Sequence, residues 1–94
     1  WSRALLDFAS LRGARFDAVA LKEARLMGVE AIEASFVGAD LSGVNALGAN
    51  FRGADLSRAV LAGANFRRAN MYETRLEGAH FGATAMPDGT VRDE

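Results

Sequence analysis

Large apolar residues recur at every fifth position from residue 6 to residue 86. These 17 positions hold eight Leu, five Phe, two Met and two Ala, and the residue two places before each is Ala, Val or Thr. The other three positions of each five-residue unit, or pentad, are mostly Asp, Asn, Arg, Ser, Glu or Gly. The pattern therefore predicts two inward and three outward side chains in every pentad.

A period of five fits neither a regular helix nor a straight strand. Five residues of α-helix advance by about 500°, so the large side chains would drift around the helix. In a straight strand an odd period would send successive large residues to opposite faces. A chain that bends in the same direction after each short extended segment satisfies the pattern. The sequence therefore predicts a solenoid whose coils pair through backbone hydrogen bonds.

Glycine marks the predicted bends, because it adopts positive φ without steric cost. One phase of the pentad is rich in it, at Gly13, Gly28, Gly38, Gly43, Gly48, Gly53, Gly63 and Gly78.

Several pentads resemble the repeat of the pentapeptide-repeat family, which reads A(D/N)LxG. Residues 39–43 (ADLSG) and 49–53 (ANFRG) are close copies, and 54–57 and 64–66 follow the same pattern. The resemblance implies an all-β fold, a right-handed quadrilateral β-helix with 20 residues in each coil and about four coils. It covers residues 4–86.

Two pentads carry alanine where the family prefers Leu or Phe, at Ala31 and Ala46. Twenty residues later the chain has Phe51 and Phe66, and a ring stacked on a methyl group would conserve core volume. A local slip that turns Ile32 and Leu47 inward is the alternative. The regular register predicts an aromatic core stack of Phe16, Phe36, Phe51, Phe66 and Phe81.

The chain is predicted to form a single domain, residues 1–94. Residues 1–8 have helical apolar spacing and are expected to cap the first coil with a short helix or a turn, with Ser2 as the candidate N-cap. Residues 9–86 form the repeat coils. Residues 87–94 form a C-terminal turn and a frayed tail, because Pro87 and Gly89 interrupt the repeat. The MPDGT sequence at 86–90 resembles terminators found after pentapeptide repeats in cyanobacterial and other bacterial proteins.

Composition excludes several classes of function. The chain has no cysteine, which removes disulfides, thiol nucleophiles and thiolate metal sites. Its net charge of -1 does not favour nucleic-acid binding. No apolar run approaches the ~20 residues of a membrane span, and no signal-peptide pattern is present. Because the chain begins at Trp1, we expect it to be a trimmed, processed or excised piece.

The sequence contains no arrangement typical of catalysis. His80 is the only histidine, and it is expected to be a solvated residue above Val60. The serines lack a base at a suitable spacing. We therefore predict no enzyme activity, no metal site and no cofactor. Two asparagine columns, Asn45 with Asn65 and Asn50 with Asn70, are expected to bond nearby backbone, with a polar recognition strip as the alternative.

Two surface features suggest binding to another protein. The first is a set of outward apolar residues, interpreted as a protein contact, with tolerated surface residues or the register slip as the alternatives: Met27, Ile32, Val37 and Leu47. The second is a candidate basic patch, for which scattered solvated arginines are the favoured explanation: Arg52, Arg58, Arg67, Arg68 and Arg75. Arg52 and Tyr72 are expected to stack as a cation–π pair.

The favoured function is a non-enzymatic scaffold or protein-interaction module, part of a larger bacterial, cyanobacterial-like protein. Its partner is another protein, a neighbouring domain or a second copy, and its expected location is the cytoplasm. One alternative is a DNA-mimicking gyrase inhibitor or protector, which the lack of an acidic ladder disfavours. Another is an exported structural protein of the periplasm or thylakoid lumen.

Overall fold

The chain winds into four stacked coils of 20 residues each. The structure is a computed structural model, and it describes residues 5–93. Single parallel β-bridges join residues 20 apart along the whole stack, from Leu5–Arg25 to Asn65–Ala85. The coils span 5–24, 25–44, 45–64 and 65–84, so the first coil begins before residue 9, the predicted start of the repeats.

Hydrogen bonds account for four of the five backbone N–H groups of a pentad in the middle of the stack. In the pentad 44–48, the N–H groups of Ala46 and Gly48 donate to the following coil, over 2.8 and 2.9 Å. The N–H of Asn45 donates to the preceding coil over 3.0 Å. The N–H of Val44 donates to Leu41 O over 3.2 Å and closes a four-residue turn. Since buried N–H groups must be paired, this pattern holds the coils in one register.

The turns require a left-handed residue in their second turn position, two residues after the large inward one. Glycine occupies this position in half of the pentads, with φ between 61° and 70° in the eight turn glycines. Non-glycine residues adopt the same conformation elsewhere, for example Ala18 at 58° and Glu33 at 59°. A positive φ at this position is the requirement of a type II turn. The glycine phase seen in the sequence is therefore confirmed as the turn.

The core keeps the regular register. Ala31 and Ala46 are fully buried, whereas Ile32 and Leu47 are partly exposed. The alternative slip that would turn Ile32 and Leu47 inward is therefore wrong.

Four phenylalanine rings contact one another through the core. Phe16 and Phe36 stack with their centroids 5.3 Å apart. Phe51 then makes edge contacts with Phe36 at 5.8 Å and with Phe66 at 5.6 Å. Phe81, the last member of the predicted stack, is only partly buried.

The predicted N-terminal helix is wrong for the residues that can be described. Residues 1–4 lie outside the described residues. Residues 5–8 already belong to the first coil, since Leu6 N donates to Arg25 O and Phe8 N donates to Met27 O, both over 2.8 Å. Helical spacing misleads here because Leu5 and Phe8, three residues apart, are two outward positions of the first pentad.

The C-terminal end is a hairpin on the last coil. Strand β1 is Thr84–Ala85 and strand β2 is Val91–Arg92, and they pair antiparallel. The predicted turn at 86–90 is confirmed, with Gly89 N bonded to Met86 O over 2.8 Å. The predicted fraying of the tail is wrong for residues 91–93, because β2 pairs with β1 and the Arg92 guanidinium lies 4.0 Å from the centre of the Phe81 ring.

The left-handed turn position predicts an unusual effect of glycine. Ala18→Gly should stabilise the protein by up to about 1 kcal/mol, because relief of left-handed strain outweighs the added freedom of the unfolded chain. Ala62→Gly changes an exposed alanine whose φ is not positive, and it should destabilise by roughly 0.5–1 kcal/mol. Urea unfolding followed by circular dichroism measures both. Destabilisation by Ala18→Gly would contradict the turn assignment.

Volume complementarity in the core predicts coupling between stacked positions. Ala46→Leu should cost about 1–3 kcal/mol through overpacking against Phe66 in the next coil. Adding Phe66→Leu should recover at least about 1 kcal/mol of the summed single costs. A double-mutant cycle of unfolding free energies tests this expectation, and additive costs would show that the two sites do not share volume.

Candidate protein-binding edge

The outward side chains form vertical columns, because each coil repeats the last after 20 residues. The two turn positions of each pentad lie at a corner of the coil, so stacked corners form four edges along the solenoid. We define edge 1 by the four turns whose first positions are Asp7, Met27, Leu47 and Arg67. The second turn positions of edge 1 are Phe8, Gly28, Gly48 and Arg68.

Edge 1 gathers apolar side chains from the first three coils. Phe8 is 77% exposed, and Leu5, just before this corner, is 74% exposed. Met27 and Leu47 continue the edge as partly exposed residues. The Phe8 ring lies over Gly28, where a Cβ atom would come within 2.6 Å of the ring. Edge 1 therefore carries a contiguous apolar surface beside its charged ends.

Sequence reasoning found only half of this surface. Met27 and Leu47 are neighbours in successive coils, as a coil of 20 residues predicts. Ile32 and Val37 occupy the next two edges of the same coil, so the four residues of the predicted contact do not share one edge. Leu5 and Phe8 were assigned to the cap helix, although their pentad phase gives their outward position.

The five arginines of the predicted basic patch are distributed around the solenoid. Arg67 and Arg68 end edge 1, whereas Arg52 lies on the second edge. Arg58 and Arg75 lie on the third pentad of their coils, where the Arg58 side chain packs against Gly78. Arg75 stacks above Asp55 through a β-bridge. Arginines that are close in sequence separate here, because successive pentads turn to successive sides.

The second edge holds a shallow cleft of about 210 Å³. Arg52 lies 5.8 Å from the centre of the Tyr72 ring, which confirms the predicted cation–π pair. The cleft is smaller than the ~300–1,000 Å³ of ligand pockets, and acidic and basic groups alternate along it. Its lining residues are Arg12, Ile32, Glu33, Arg52, Gly53 and Glu73.

Aspartate and asparagine side chains accept a turn N–H in six pentads. The side-chain Oδ1 before the large inward residue accepts the N–H two residues later, as in Asn45 with Leu47 at 3.2 Å and Asp55 with Ser57 at 3.0 Å. This N–H is the one group of the pentad that does not donate to a backbone carbonyl. The expectation that asparagines bond nearby backbone is confirmed for Asn45, Asn50, Asn65 and Asn70.

Two aspartates of the first coil accept the corresponding N–H groups of the second coil. Where Arg25 and Ser35 replace Asp or Asn, the N–H groups of Met27 and Val37 donate to Asp7 and Asp17 of the coil before, at 2.9 and 3.1 Å. Sequence reasoning missed both acceptors. The sequence could have predicted these bonds, since each aspartate lies 20 residues before a turn whose own pentad has no Asp or Asn.

Asp7 is thereby held on edge 1. Its Oδ2 lies 2.7 Å from the Arg25 guanidinium, which in turn lies 4.0 Å from the Met27 sulfur. The first charged end of edge 1 and the apolar surface beside it are therefore oriented by the same group of bonds.

The remaining candidate residues are dispersed. His80 is exposed and bridges to Val60, as predicted. Among residues 5–93, no three His, Cys, Asp or Glu side chains are grouped so that they could hold a metal ion. Within the same residues, no helix has the length and apolar character needed to cross a membrane. Inside the coils, residues 5–84, no two acidic residues follow each other in one column.

Family comparison agrees with this architecture. The family model for pentapeptide repeats matches eight copies, over residues 9–45 and 47–82. The chain belongs to the pentapeptide-repeat family. No curated protein matches it significantly.

Three solved pentapeptide-repeat structures resemble the chain over 98% of its length. HetL, involved in heterocyst differentiation regulation in the cyanobacterium Nostoc, is 29% identical with a TM-score of 0.78. A protein of the Arabidopsis thaliana thylakoid lumen is 28% identical with a TM-score of 0.72. A second Nostoc protein is 27% identical with a TM-score of 0.65. The predicted right-handed quadrilateral β-helix is confirmed.

The chain spans only part of these relatives. It covers 51% of HetL, 68% of the lumenal protein and 76% of the second Nostoc protein.

The turn carboxylates predict a loss of stability in acid. The Ser42 hydroxyl and backbone N–H lower the pKa of Asp40, and Ser57 lowers the pKa of Asp55 in the same way. A carboxylate whose folded pKa is depressed stabilises the protein above its unfolded pKa of about 3.9, and this contribution is lost as the pH falls through the folded value. Asp40→Asn with Asp55→Asn keeps both Oδ1 acceptors but cannot ionise.

The double asparagine variant should therefore lose less stability than the parent between about pH 4 and pH 2. Urea unfolding at a series of pH values measures the two curves. Glu30→Gln with Glu77→Gln removes the same charge without touching a turn acceptor and controls for net charge. Parallel curves for the parent and the asparagine variant would contradict the role of these carboxylates.

Proposed function

We propose that this pentapeptide-repeat chain is a non-enzymatic protein-binding module of a larger, cyanobacterial-type bacterial protein, and that edge 1 is its binding surface. The observation that supports this most directly is the apolar surface of edge 1. Phe8 is about three-quarters exposed there, and so is Leu5 just before the same corner. Exposed apolar surface that is contiguous, and bordered by charge, commonly marks a protein contact.

The rigidity of the scaffold supports the same function. The inward residues of the central coils are fully buried, from Leu21 to Phe66. Backbone bonds to the coils before and after hold the turns of the central coils, and Asp or Asn side chains add a further bond in several of them. A surface that is ordered before binding loses little conformational entropy when a partner docks. Edge 1 is therefore suited to recognition without rearrangement.

The relatives support a role in a larger assembly. The chain corresponds to half of HetL, a protein involved in the regulation of heterocyst differentiation. A solenoid of four coils adds a defined surface to a longer chain without needing a cavity for substrate. We place this module in the cytoplasm.

Photo-crosslinking tests the binding surface. A benzophenone amino acid in place of Phe8, in cells of the source organism, should crosslink a defined protein that mass spectrometry identifies. The purified partner should then bind the chain in calorimetry. Met27→Glu with Leu47→Glu should weaken that binding at least tenfold, because two charges enter the apolar contact.

Ile32→Glu with Val37→Glu is the matched control. These residues have the same pentad phase and similar partial exposure, but they lie on the second and third edges. Binding should be retained in this variant. Equal losses in both variants, or none in either, would exclude edge 1 as the binding surface.

The lumenal relative favours a second candidate function, a structural protein of an exported or lumenal compartment. The Arabidopsis protein is 28% identical and comes from the thylakoid lumen. The complete reading frame tests this candidate: a targeting peptide upstream of the repeats would support it, and another cytoplasmic domain upstream would exclude it.

A further inference from the structure

We propose that edge 1 binds a second copy of this chain, side by side and antiparallel, about a two-fold axis between the second and third coils. This inference rests on the proposed function of edge 1 and names its partner.

The order of side chains along edge 1 carries the proposal. The first turn positions read acidic, apolar, apolar and basic: Asp7, Met27, Leu47 and Arg67. The second turn positions read Phe8, Gly28, Gly48 and Arg68. Both columns therefore have complementary ends and similar centres, which is the condition for an isologous contact.

A two-fold axis at the middle of edge 1 brings each group to a suitable counterpart. Asp7 of one copy meets Arg67 of the other, and Met27 meets Leu47. Phe8 meets Arg68, where a guanidinium over the ring makes a cation–π contact. Gly28 and Gly48 have no side chains that would hold the two edges apart. Because the contact is two-fold, every pairing occurs twice.

The groups that would make these contacts are already oriented. Asp7 accepts the N–H of Met27 over 2.9 Å and pairs with the Arg25 guanidinium over 2.7 Å, and its side chain remains 21% exposed, so a second guanidinium would share this carboxylate. Phe8 rests on Gly28 and is 77% exposed. Nothing within 4 Å would meet a Cβ at Gly48, so the centre of the edge is open to an approaching side chain.

The other edges do not show this self-complementarity. On the third edge, a two-fold axis at the same height would place Asp17 against Glu77, which repel each other. The second edge would place the apolar Ile32 against the charged Arg52. The fourth edge offers only small or polar first turn positions: Lys22, Ser42, Ala62 and Gly82.

The contact is expected to be weak. Asp7 and Arg67 are three coil spacings apart, about 14 Å, so the shared strip is short. One whole side of a body measuring 28 × 25 × 24 Å cannot offer the ~800 Å² per partner of a standard interface. The dimer should therefore form at high concentration, or where a larger chain brings two copies together.

Sedimentation equilibrium of the purified chain tests the dimer at up to about 1 mM protein, a range suited to so small an interface. Arg67→Glu places a negative charge opposite Asp7 of the other copy and should raise the dissociation constant at least tenfold. Arg12→Glu makes the same charge change on the second edge and should leave it unchanged. A chain that stays monomeric throughout, or equal effects of the two variants, would overturn the proposal.

The absence of cysteine allows a clean test of orientation. A mixture of the Phe8→Cys and Arg68→Cys variants should give the mixed disulfide on mild oxidation, since these positions meet in the antiparallel dimer. Two copies of residue 8 would lie about 14 Å apart, too far for a disulfide. Predominant crosslinking of each variant to itself would overturn the antiparallel arrangement.

Failure of this inference can be told apart from failure of the proposed function. A monomeric chain that still binds a different protein through edge 1, with sensitivity to Met27→Glu and Leu47→Glu, would refute only the dimer. If these substitutions change neither self-association nor partner binding, the proposed function is refuted as well.

Discussion

The backbone hydrogen bonds between coils are the constraint on which the rest of this structure depends. In the middle of the stack each pentad sends two N–H groups to the coil after it and one to the coil before it. A fourth closes the turn, and in several pentads the fifth donates to the side chain of an Asp or Asn. This account explains why Asp or Asn precedes so many of the large inward residues. It also explains why Asp7 and Asp17 serve the turns of Met27 and Val37, whose own pentads carry Arg25 and Ser35 instead.

The same constraint arranges the outward side chains in columns along the solenoid. A side chain's neighbours are the residues 20 positions before and after it, so each edge combines residues that are distant in sequence. Edge 1 acquires its character in this way, from four turns in four coils. Its acidic end is held by Met27 and Arg25, and its aromatic residue rests on Gly28. A short repeat thus builds a surface that can be specific, although each pentad alone is generic.

Recognition by such a surface suits a family whose members share a scaffold but differ in role. The relatives include a protein of heterocyst regulation and a protein of the thylakoid lumen. Function on a common fold resides in the site, and here the site consists of outward residues that the core does not restrict. The weak, two-fold contact proposed for edge 1 would add valency to a longer chain, since two linked contacts bind far more tightly than one.

The sequence by itself determined the core and the turn phase, because these follow from local chemistry repeated in every pentad, whereas the 20-residue coil was implied by the family resemblance. Even Ala31 and Ala46 were placed correctly, through Phe51 and Phe66 one coil later. The tertiary structure alone decided how the ends fold and which outward residues meet. Leu5 and Phe8 lie beside Met27 because residues 5–8 belong to the first coil and do not form a helix. Strand β2 pairs with β1 where the tail was expected to fray. The arginines separated because winding around four sides converts closeness in sequence into distance in space.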